Sequence, residues 1–278
     1  MTQTQEQALI AVLGTGVMGE TALTGILSAG WDPERVVATA RRPERADELA
    51  RTHGVRTTHD NVAAAAEADV VILGVKPKDI GALTEEISSA VRPGTLVLTV
   101  AVGLSCAFYE KRLPEGTPFV RVMPNTPSSI GVGVSAISPG VAATDEHLEL
   151  VETLLASTGL VIRIAEKDQA AVAALSGSGP AYVFYVLDAL SEAGTLMGIP
   201  RATAAQLAAQ TVLGAATMVQ ETGEHPAILR EKVSSPGGTT IAGLRELDRG
   251  GVRAAFVDAL TAAKARAGEL SAELEADV

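Results

Sequence analysis

The sequence predicts two domains in series: an α/β domain built on a doubly wound parallel sheet, and an all-α domain that follows it. Up to residue 165, short runs of branched apolar residues alternate with stretches of helical periodicity, as βαβ units require. After residue 165 the strand pattern disappears, and the chain becomes rich in Ala and Leu at helical spacing. We therefore assign residues 1–165 to the first domain and residues 166–278 to the second.

Strands and helices alternate along the predicted first domain. An apolar run at 8–13 ends abruptly in glycines, and a helical pattern at 20–30 follows it and closes at Gly30. A second strand at 35–40 completes a βαβ unit. The remaining predicted strands cover 69–75, 96–100, 119–123 and 161–164, and the remaining predicted helices cover 43–53, 79–91, 105–112 and 144–158.

The second domain is predicted to contain long helices at 182–197, 201–221 and 253–274, separated by segments rich in Gly, Pro and Ser. The first two of these helices are apolar on more than one face, and their alanines permit close approach of another helix. We therefore expect a second subunit to bury them, in a homodimer or a higher oligomer.

Composition excludes several classes of protein. The chain has 278 residues and a formal net charge of −11, which disfavours a general affinity for nucleic acid or anionic membrane. Its one cysteine, Cys106, excludes an intramolecular disulfide and a multi-cysteine zinc site, and we expect no bound metal. No uninterrupted apolar run reaches the roughly 20 residues of a membrane helix, and no basic segment precedes an apolar one at the N-terminus. We expect a soluble cytoplasmic protein.

The glycines of Gly14-Thr15-Gly16-Val17-Met18-Gly19 have the spacing G-x-G-x-x-G. They follow a predicted strand and open a predicted helix, which is the context of the Rossmann dinucleotide-binding motif. In that motif the first glycine permits the tight turn, the second lets a pyrophosphate approach the backbone, and the third lets helix and strand pack closely. The alternative is a glycine-rich turn without a ligand.

The end of the second predicted strand bears on the choice of cofactor. An acidic residue there would accept hydrogen bonds from the ribose 2′-hydroxyl of NAD, but the segment 38–43 contains no acid. Instead it contains Arg41 and Arg42, whose guanidinium groups suit the 2′-phosphate of NADPH, with NADH as the weaker cofactor. The alternative is a solvated pair of surface arginines. Lys76, after the strand at 69–75, is either a ligand of the cofactor or an ordinary capping or surface lysine.

The segment 233–241 reads Val-Ser-Ser-Pro-Gly-Gly-Thr-Thr-Ile and precedes a helical pattern. Hydroxyl groups and free amides at the start of a helix form a small anion-binding site, and a carboxylate is the ligand that suits it best. The alternative is an ordinary capped helix. Between Lys167 and Arg230 the basic residues are Arg201 and His225 alone, so this domain offers little acid–base chemistry for a C–O bond. A protonated cyclic imine is already electrophilic and accepts hydride without such a group.

Together these motifs resemble those of the pyrroline-5-carboxylate reductase family, in the same order over nearly the whole chain. The segments that carry the resemblance are 14–19, 75–77, 123–127, 175–182 and 233–241. The resemblance implies a Rossmann domain, a helical dimerisation domain that interlocks with its partner, and NAD(P)H-dependent reduction of the C=N bond of 1-pyrroline-5-carboxylate to L-proline. It also implies self-association as a dimer, with a decamer as the larger assembly.

The resemblance assigns site residues to positions of this chain. For the cofactor these are Gly14, Thr15, Gly16, Val17, Met18, Gly19, Arg41, Arg42, Asn61, Val75, Lys76, Pro77, Ala101, Val102 and Gly103. For the substrate they are Ser235, Gly238, Thr239 and Thr240, with the Thr240 hydroxyl near the imine nitrogen as the catalytic group. The proton donor stays open, because the chain has Gly223 between Glu221 and Glu224 where some relatives carry a glutamate.

Two other classes of function remain as alternatives. Another NADP-dependent dehydrogenase of a small carboxylic acid would use the same two domains, but it would require a catalytic lysine on the helix at 182–197, which has none. A nucleotide-sensing or oligomer-forming scaffold would explain the glycine motif but would leave the cluster at 235–240 without a role.

Overall fold

The computed structural model describes residues 8–276. Its contacts divide the chain into two compact units. The first, here called the sheet unit, comprises Met1–Gly177 and Ala263–Val278, and the second, the helical unit, comprises Ser178–Ala262. The two kinds of domain predicted from the sequence are thereby confirmed: one is built on a parallel sheet and the other is entirely helical.

The sheet unit contains one eight-stranded sheet. Its strands are β1 (Ile10–Leu13), β2 (Val36–Thr39), β3 (Arg56–Thr58), β4 (Val70–Leu73), β5 (Leu96–Thr99), β6 (Phe119–Met123), β7 (Gly133–Pro139) and β8 (Gly159–Arg163). They lie in the order β3-β2-β1-β4-β5-β6-β7-β8. Pairing is parallel from β3 through to β6, so the chain winds outward from β1 in both directions as predicted.

The far edge of the sheet departs from the prediction. Strand β7 was not predicted, and it pairs antiparallel with β6, while β8 is parallel to β7. The segment Gly133–Pro139 contains glycine, serines and a proline, which hide its strand character in the sequence. Strand β3 was also missed because it has three residues, Arg56–Thr58, none of them apolar.

Helices cover both faces of the sheet. They are α1 (Val17–Ser28), α2 (Pro43–His53), α3 (Asn61–Glu67), α4 (Pro77–Ser88), α5 (Cys106–Glu110), α6 (Asp145–Leu155) and α7 (Gln169–Val172). Side chains of a strand point alternately to opposite faces, and in β1 Ile10 and Val12 join one apolar cluster while Ala11 and Leu13 join the other. Because both faces are buried, the strands read as continuous apolar runs.

The segment after β8 and the end of the chain pack within the sheet unit. Buried Gln169 donates a hydrogen bond to Ser138 Oγ at 2.8 Å, and a π-helical turn follows at Ala173–Gly177. Near the C-terminus, the Ser105 hydroxyl donates to Glu275 Oε1 at 2.6 Å. The division by contacts therefore falls after Gly177 and groups the end of the chain with the sheet unit, whereas the domain boundary at residue 165 stays a prediction.

The helical unit consists of α8 (Gly179–Leu196), α9 (Arg201–Thr222), α10 (Pro226–Lys232), α11 (Thr239–Arg249) and the first part of α12 (Val252–Ala276). Helices α8 and α9 approach closely where a Cβ on Gly194 would lie 3.0 Å from Ala204 Cβ. In residues 178–262, all of which the structure describes, only Gly194, Ala204 and Ala208 are buried.

Candidate active site

The glycine-rich turn joins β1 to α1 at the carboxyl edge of the sheet. Gly14 has φ +84°, which favours glycine, and a Cβ there would overlap Val75 Cγ1. A Cβ on Gly19 would collide with the carbonyl oxygen of Gly14, so helix α1 can start this close to the strand only with glycine. A Cβ on Gly16 would meet no atom within 4 Å. The turn thus leaves open space beside Gly16, as the approach of a pyrophosphate requires.

Thr39, the last residue of β2, holds this turn in place. Its buried hydroxyl oxygen accepts a hydrogen bond from the Gly14 amide at 3.0 Å and its hydroxyl donates to Asn61 Oδ1 at 2.7 Å. The Thr15 hydroxyl donates to the Thr39 carbonyl at 2.9 Å. Sequence reasoning missed Thr39, because an apolar strand that ends in threonine carries no signal of this role. Asn61, assigned to the cofactor through the resemblance, lies at the start of α3.

A cleft of about 430 Å³ lies beside the turn. It opens between the ends of β2 and β4, because these strands flank β1 in the sheet. Its charged lining residues are Arg41, Arg42, Arg45, Lys76, Lys78 and Asp79. In a chain whose net charge is −11, five cations against one acid make this a local site for an anion. The residues present therefore fit a phosphorylated dinucleotide.

Arg45, which sequence reasoning did not single out, is fixed in this cleft from the first turn of α2. It forms an ion pair with Glu20 of α1 and donates to the Thr15 carbonyl at 3.3 Å. His53 Nε2 lies 3.0 Å from the other oxygen of Glu20. Burial alone would raise the pKa of Glu20, but the hydrogen bonds from His53 and Arg45 outweigh it and hold that pKa below its usual value.

A second cleft of about 220 Å³ shares Gly14, Arg41 and Asp79 with the first. It extends the site along β2 toward His59, Asn61 and Glu86. The Asn61 side-chain amide donates to the Glu86 carboxylate at 3.3–3.4 Å. The two clefts together thus run along the carboxyl edge of the sheet, where ligands of doubly wound folds bind.

The other residues assigned to the cofactor follow β4 and β5 at the same edge. Lys76 is the N-cap residue of α4, and Pro77 is its first helical residue. Ala101 follows β5, and its amide donates to the Thr99 hydroxyl oxygen at 3.1 Å. Tyr109, whose pKa is raised by burial, also donates to that oxygen, at 3.1 Å. Thr99 and Tyr109 therefore position the loop that contains Ala101, Val102 and Gly103.

Two of the remaining motifs meet within the sheet unit. Asn125 of segment 123–127 donates through Nδ2 to the Ser176 carbonyl at 3.1 Å, and its Oδ1 accepts from the Val134 amide at 3.0 Å. A Cβ on Gly177 would lie 2.5 Å from Met123 Cε. Asn125 thus ties the π-helical turn to the end of β6.

The residues assigned to the substrate lie in the helical unit, at the start of α11. Gly238 is the N-cap residue, and no side chain of residues 8–276 caps the helix. The Gly238 amide donates to the Ser235 carbonyl at 2.9 Å, which folds Ser235, Thr239 and Thr240 around one helix end. The structure therefore brings the four assigned residues together. Neither Arg230 nor Lys232 caps this helix end. Lys232 instead forms an ion pair with Glu224 at 2.6 Å.

Other reactive residues have structural partners. Burial, with the Glu166 carboxylate next in effect, raises the pKa of the Cys106 thiol, which suits a packing residue rather than a nucleophile. His225 accepts a hydrogen bond from the Ala227 amide at 3.2 Å as the N-cap of α10. Among residues 8–276, no group of three His, Cys, Asp or Glu side chains is placed to hold a metal ion.

Comparison with known proteins identifies the family. A curated pyrroline-5-carboxylate reductase of Corynebacterium melassecola is 46% identical over 264 residues, which are 94% of this chain and 98% of that protein. The chain belongs to the pyrroline-5-carboxylate reductase family. A family model described as pyrroline-5-carboxylate reductase dimerisation matches residues 166–270, and one described as coenzyme F420-dependent NADP oxidoreductase matches residues 9–103.

Solved structures of pyrroline-5-carboxylate reductases are also similar. The protein from Coxiella burnetii has a TM-score of 0.91 and 40% identity, with 95% of this chain and 98% of that chain covered. The crystal structure of the Plasmodium falciparum enzyme with NADP bound has a TM-score of 0.85 and 25% identity, with 96% and 99% covered. The resemblance inferred from the motifs is therefore confirmed.

The dimerisation region of this reductase family member contains an unusually apolar stretch. Residues Glu166–Leu196 form a helical stretch long and apolar enough to cross a membrane by length and composition alone, and the most apolar 18 residues of this stretch have a mean hydropathy of 1.4. Only 6% of the most apolar part of this stretch is buried within the chain. The stretch lies inside the match to the dimerisation model, so its apolar surface has a second explanation in subunit contact.

Proposed function

We propose that this protein is a pyrroline-5-carboxylate reductase that reduces 1-pyrroline-5-carboxylate to L-proline with NADPH, and with NADH more weakly. The observation that carries the proposal is the cationic cleft beside the glycine turn, in a chain that is similar over almost its whole length to enzymes of this name. Bound NADPH supplies a hydride, and the protein binds and orients the two reactants.

The sheet unit holds the cofactor in this proposal. The open space beside Gly16 and the start of α1 receive the pyrophosphate, because helix amides and the helix dipole favour an anion there. Arg41 and Arg42 bind the 2′-phosphate. Asn61, Val75, Lys76 and Pro77 line the ribose and adenine side, and the loop with Ala101, Val102 and Gly103, positioned by Thr99, carries the nicotinamide half.

The helical unit holds the substrate in this proposal. The uncapped start of α11 offers backbone amides to the substrate carboxylate, and Ser235, Gly238 and Thr239 surround it. This leaves the Thr240 hydroxyl to hydrogen-bond the ring nitrogen, which fixes the orientation of the C=N bond. The amine that forms after hydride transfer takes its proton from water or through this hydroxyl. A C=N bond with a protonated nitrogen requires no further acid to accept hydride.

The exposed apolar helices of the helical unit carry the proposal of self-association. We propose that a second copy of the chain covers them in a homodimer, with a decamer as the larger assembly, and that subunit contact rather than lipid covers the stretch Glu166–Leu196. A soluble assembly with one buried cysteine and no disulfide suits the cytoplasm.

The proposed chemistry is tested by steady-state kinetics of pyrroline-5-carboxylate reduction. Hydrogen bonds to a charged group contribute about 1.5–3 kcal/mol, so Thr240→Val should lower kcat/KM for pyrroline-5-carboxylate by about 10- to 200-fold. The KM for NADPH should stay unchanged, because the cofactor residues lie in the sheet unit. Thr153→Val removes a similar hydroxyl from the surface of α6 and should leave both constants unchanged.

Two results would contradict this proposal. Wild-type activity in Thr240→Val at every pH would leave the hydroxyl without a role and would redirect the search for a proton donor to Glu221 and Glu224. Tight binding of NADPH without any reduction of pyrroline-5-carboxylate, and without proline-dependent reduction of NADP⁺, would favour the scaffold alternative.

A further inference from the structure

The structure supplies an acid at the cofactor site where the end of β2 has none. Asp79, in the first turn of α4, places Oδ2 at 2.8 Å from Nη2 of Arg41, which follows β2. The two residues are 38 positions apart in the sequence. Asp79 also lines both clefts, and so does Arg41.

The two side chains differ in mobility and in charge. The Arg41 side chain is 78% exposed, whereas the Asp79 side chain is 30% exposed and is anchored at the start of a helix. An exposed ion pair contributes little to stability, so Arg41 can leave Asp79 at a small cost in free energy. Once the ion pair opens, a ligand in the cleft can bind either the positive charge of Arg41 or the negative charge of Asp79.

NADH and NADPH differ at the 2′ position of the adenosine ribose, which lies beside this pair in the proposed binding mode. The ribose of NADH carries a 2′-hydroxyl, which donates a hydrogen bond to a carboxylate. NADPH carries a 2′-phosphate at the same position, which binds a guanidinium and is repelled by a carboxylate. Asp79 thus favours the first ligand, and Arg41 favours the second.

We propose that Asp79 sets the preference of this enzyme between the two cofactors. It accepts the 2′-hydroxyl of NADH, and it weakens NADPH binding by competing with the 2′-phosphate for Arg41. This inference rests on the proposed function, because it takes the cationic cleft to be the cofactor site. The sequence predicts the residues that select the cofactor at the end of β2, and this inference adds Asp79 of α4 to them.

An ordinary structural role for Asp79 predicts a different result. Acidic residues stabilise the first turn of a helix, and Asp79 could do only that. Asp145 offers a matched control, because it lies in the first turn of α6 and pairs with Arg163 at 3.0 Å. Neither Asp145 nor Arg163 lines the two cofactor clefts.

The test measures kcat/KM for NADH and for NADPH, at saturating pyrroline-5-carboxylate, in the full-length enzyme. Asp79→Ala should lower the value for NADH by about 10-fold, because a hydrogen bond to a charged group is lost, while the value for NADPH is kept or raised. Asp79→Asn, which keeps the shape of the side chain and removes its charge, should raise the value for NADPH about threefold at low ionic strength and less at high salt. Asp145→Asn should leave the ratio of the two values unchanged.

The outcomes separate this inference from the proposed function. A ratio of the NADPH to the NADH value that stays within twofold of wild type in both Asp79 variants, or an equal loss with both cofactors, would overturn the role of Asp79. A wild-type enzyme that transfers hydride from neither cofactor would overturn the proposed reaction instead. In that case dissociation constants of NADH and NADPH, measured by quenching of protein fluorescence, still decide whether Asp79 discriminates between them.

Discussion

The sheet unit and the helical unit differ in how they treat their apolar residues. In the sheet unit, β1, β2, β4 and β5 are buried along their whole length. In the helical unit, Phe184 is 64% exposed and Tyr185 is 79% exposed, although both belong to a long and strongly apolar helix. Only small residues are buried there.

This difference shows that an apolar sequence does not by itself say what will cover it. The strands are covered by helices of their own chain, which follow within about 15 residues of sequence as βαβ connections do. The apolar residues of α8 and α9 exceed what one chain can cover with five helices. Their exposed surface fits the self-association of a dimerisation region, and we therefore expect the stability of the helical unit to depend on the concentration of the protein.

The largest expected effect comes from a charge placed on that surface. Phe184→Asp replaces a large apolar side chain by a carboxylate, and a two-fold symmetric dimer contains this substitution twice. The dissociation constant of the dimer should therefore rise at least about 100-fold. Sedimentation velocity at micromolar concentration should show monomers, and far-UV circular dichroism should show reduced helix content. Val141→Asp, at a position that is 95% exposed in the sheet unit, is the control and should leave the assembly intact. An intact dimer in Phe184→Asp would contradict the inference that the exposed apolar surface of the helical unit is a subunit contact.

A smaller and more local effect should follow from the arginines of the sheet unit. Arg41→Ala combined with Arg42→Ala removes two charge-assisted contacts to the 2′-phosphate, so kcat/KM for NADPH should fall about 10- to 1000-fold. The value for NADH should be spared, and the sedimentation coefficient should not change, because the sheet unit keeps its own core. Equal losses with the two cofactors would contradict the assignment of these residues to the 2′-phosphate.

The smallest effect concerns the pH dependence of the sheet unit. The pKa of Glu20 is lowered in the folded protein, so the carboxylate contributes stability at pH values above its usual pKa of 4.5, and this contribution is lost as the pH falls through the lower, folded value. Chemical unfolding should therefore show Glu20→Gln to be less stable than wild type near pH 7, with the difference shrinking below pH 4.5. Glu115→Gln, in an exposed turn, is the control for replacing a glutamate by glutamine away from these ion pairs. A constant difference between Glu20→Gln and wild type across this range would exclude the ion pairs as the cause.

Part of the candidate site was predictable because it is encoded within a few neighbouring residues. The spacing of Gly14, Gly16 and Gly19 between an apolar run and a helix specifies a turn in which Gly14 and Gly19 have no room for a side chain and the space beside Gly16 is open, and the structure has that turn. The long strands were predicted for a similar local reason, since burial on both faces makes each a continuous apolar run. Strand β7 was not predicted from the sequence, because its Gly, Ser and Pro residues are typical of loops and because its pairing with β6 depends on distant residues.

The sequence by itself therefore determined the two kinds of domain, the glycine turn and the cations that follow β2. Only the tertiary structure decided which side chains meet across the cofactor cleft. Arg41 reaches Asp79 because the order β2-β1-β4 places the ends of β2 and β4 on either side of β1. Thr39 reaches Asn61 because β3, which pairs with β2, leads into α3. Strand order is a property of the whole sheet and leaves no local pattern in the residues it brings together. The acid that the end of β2 lacks could for this reason be found only once α4 had been placed beside it.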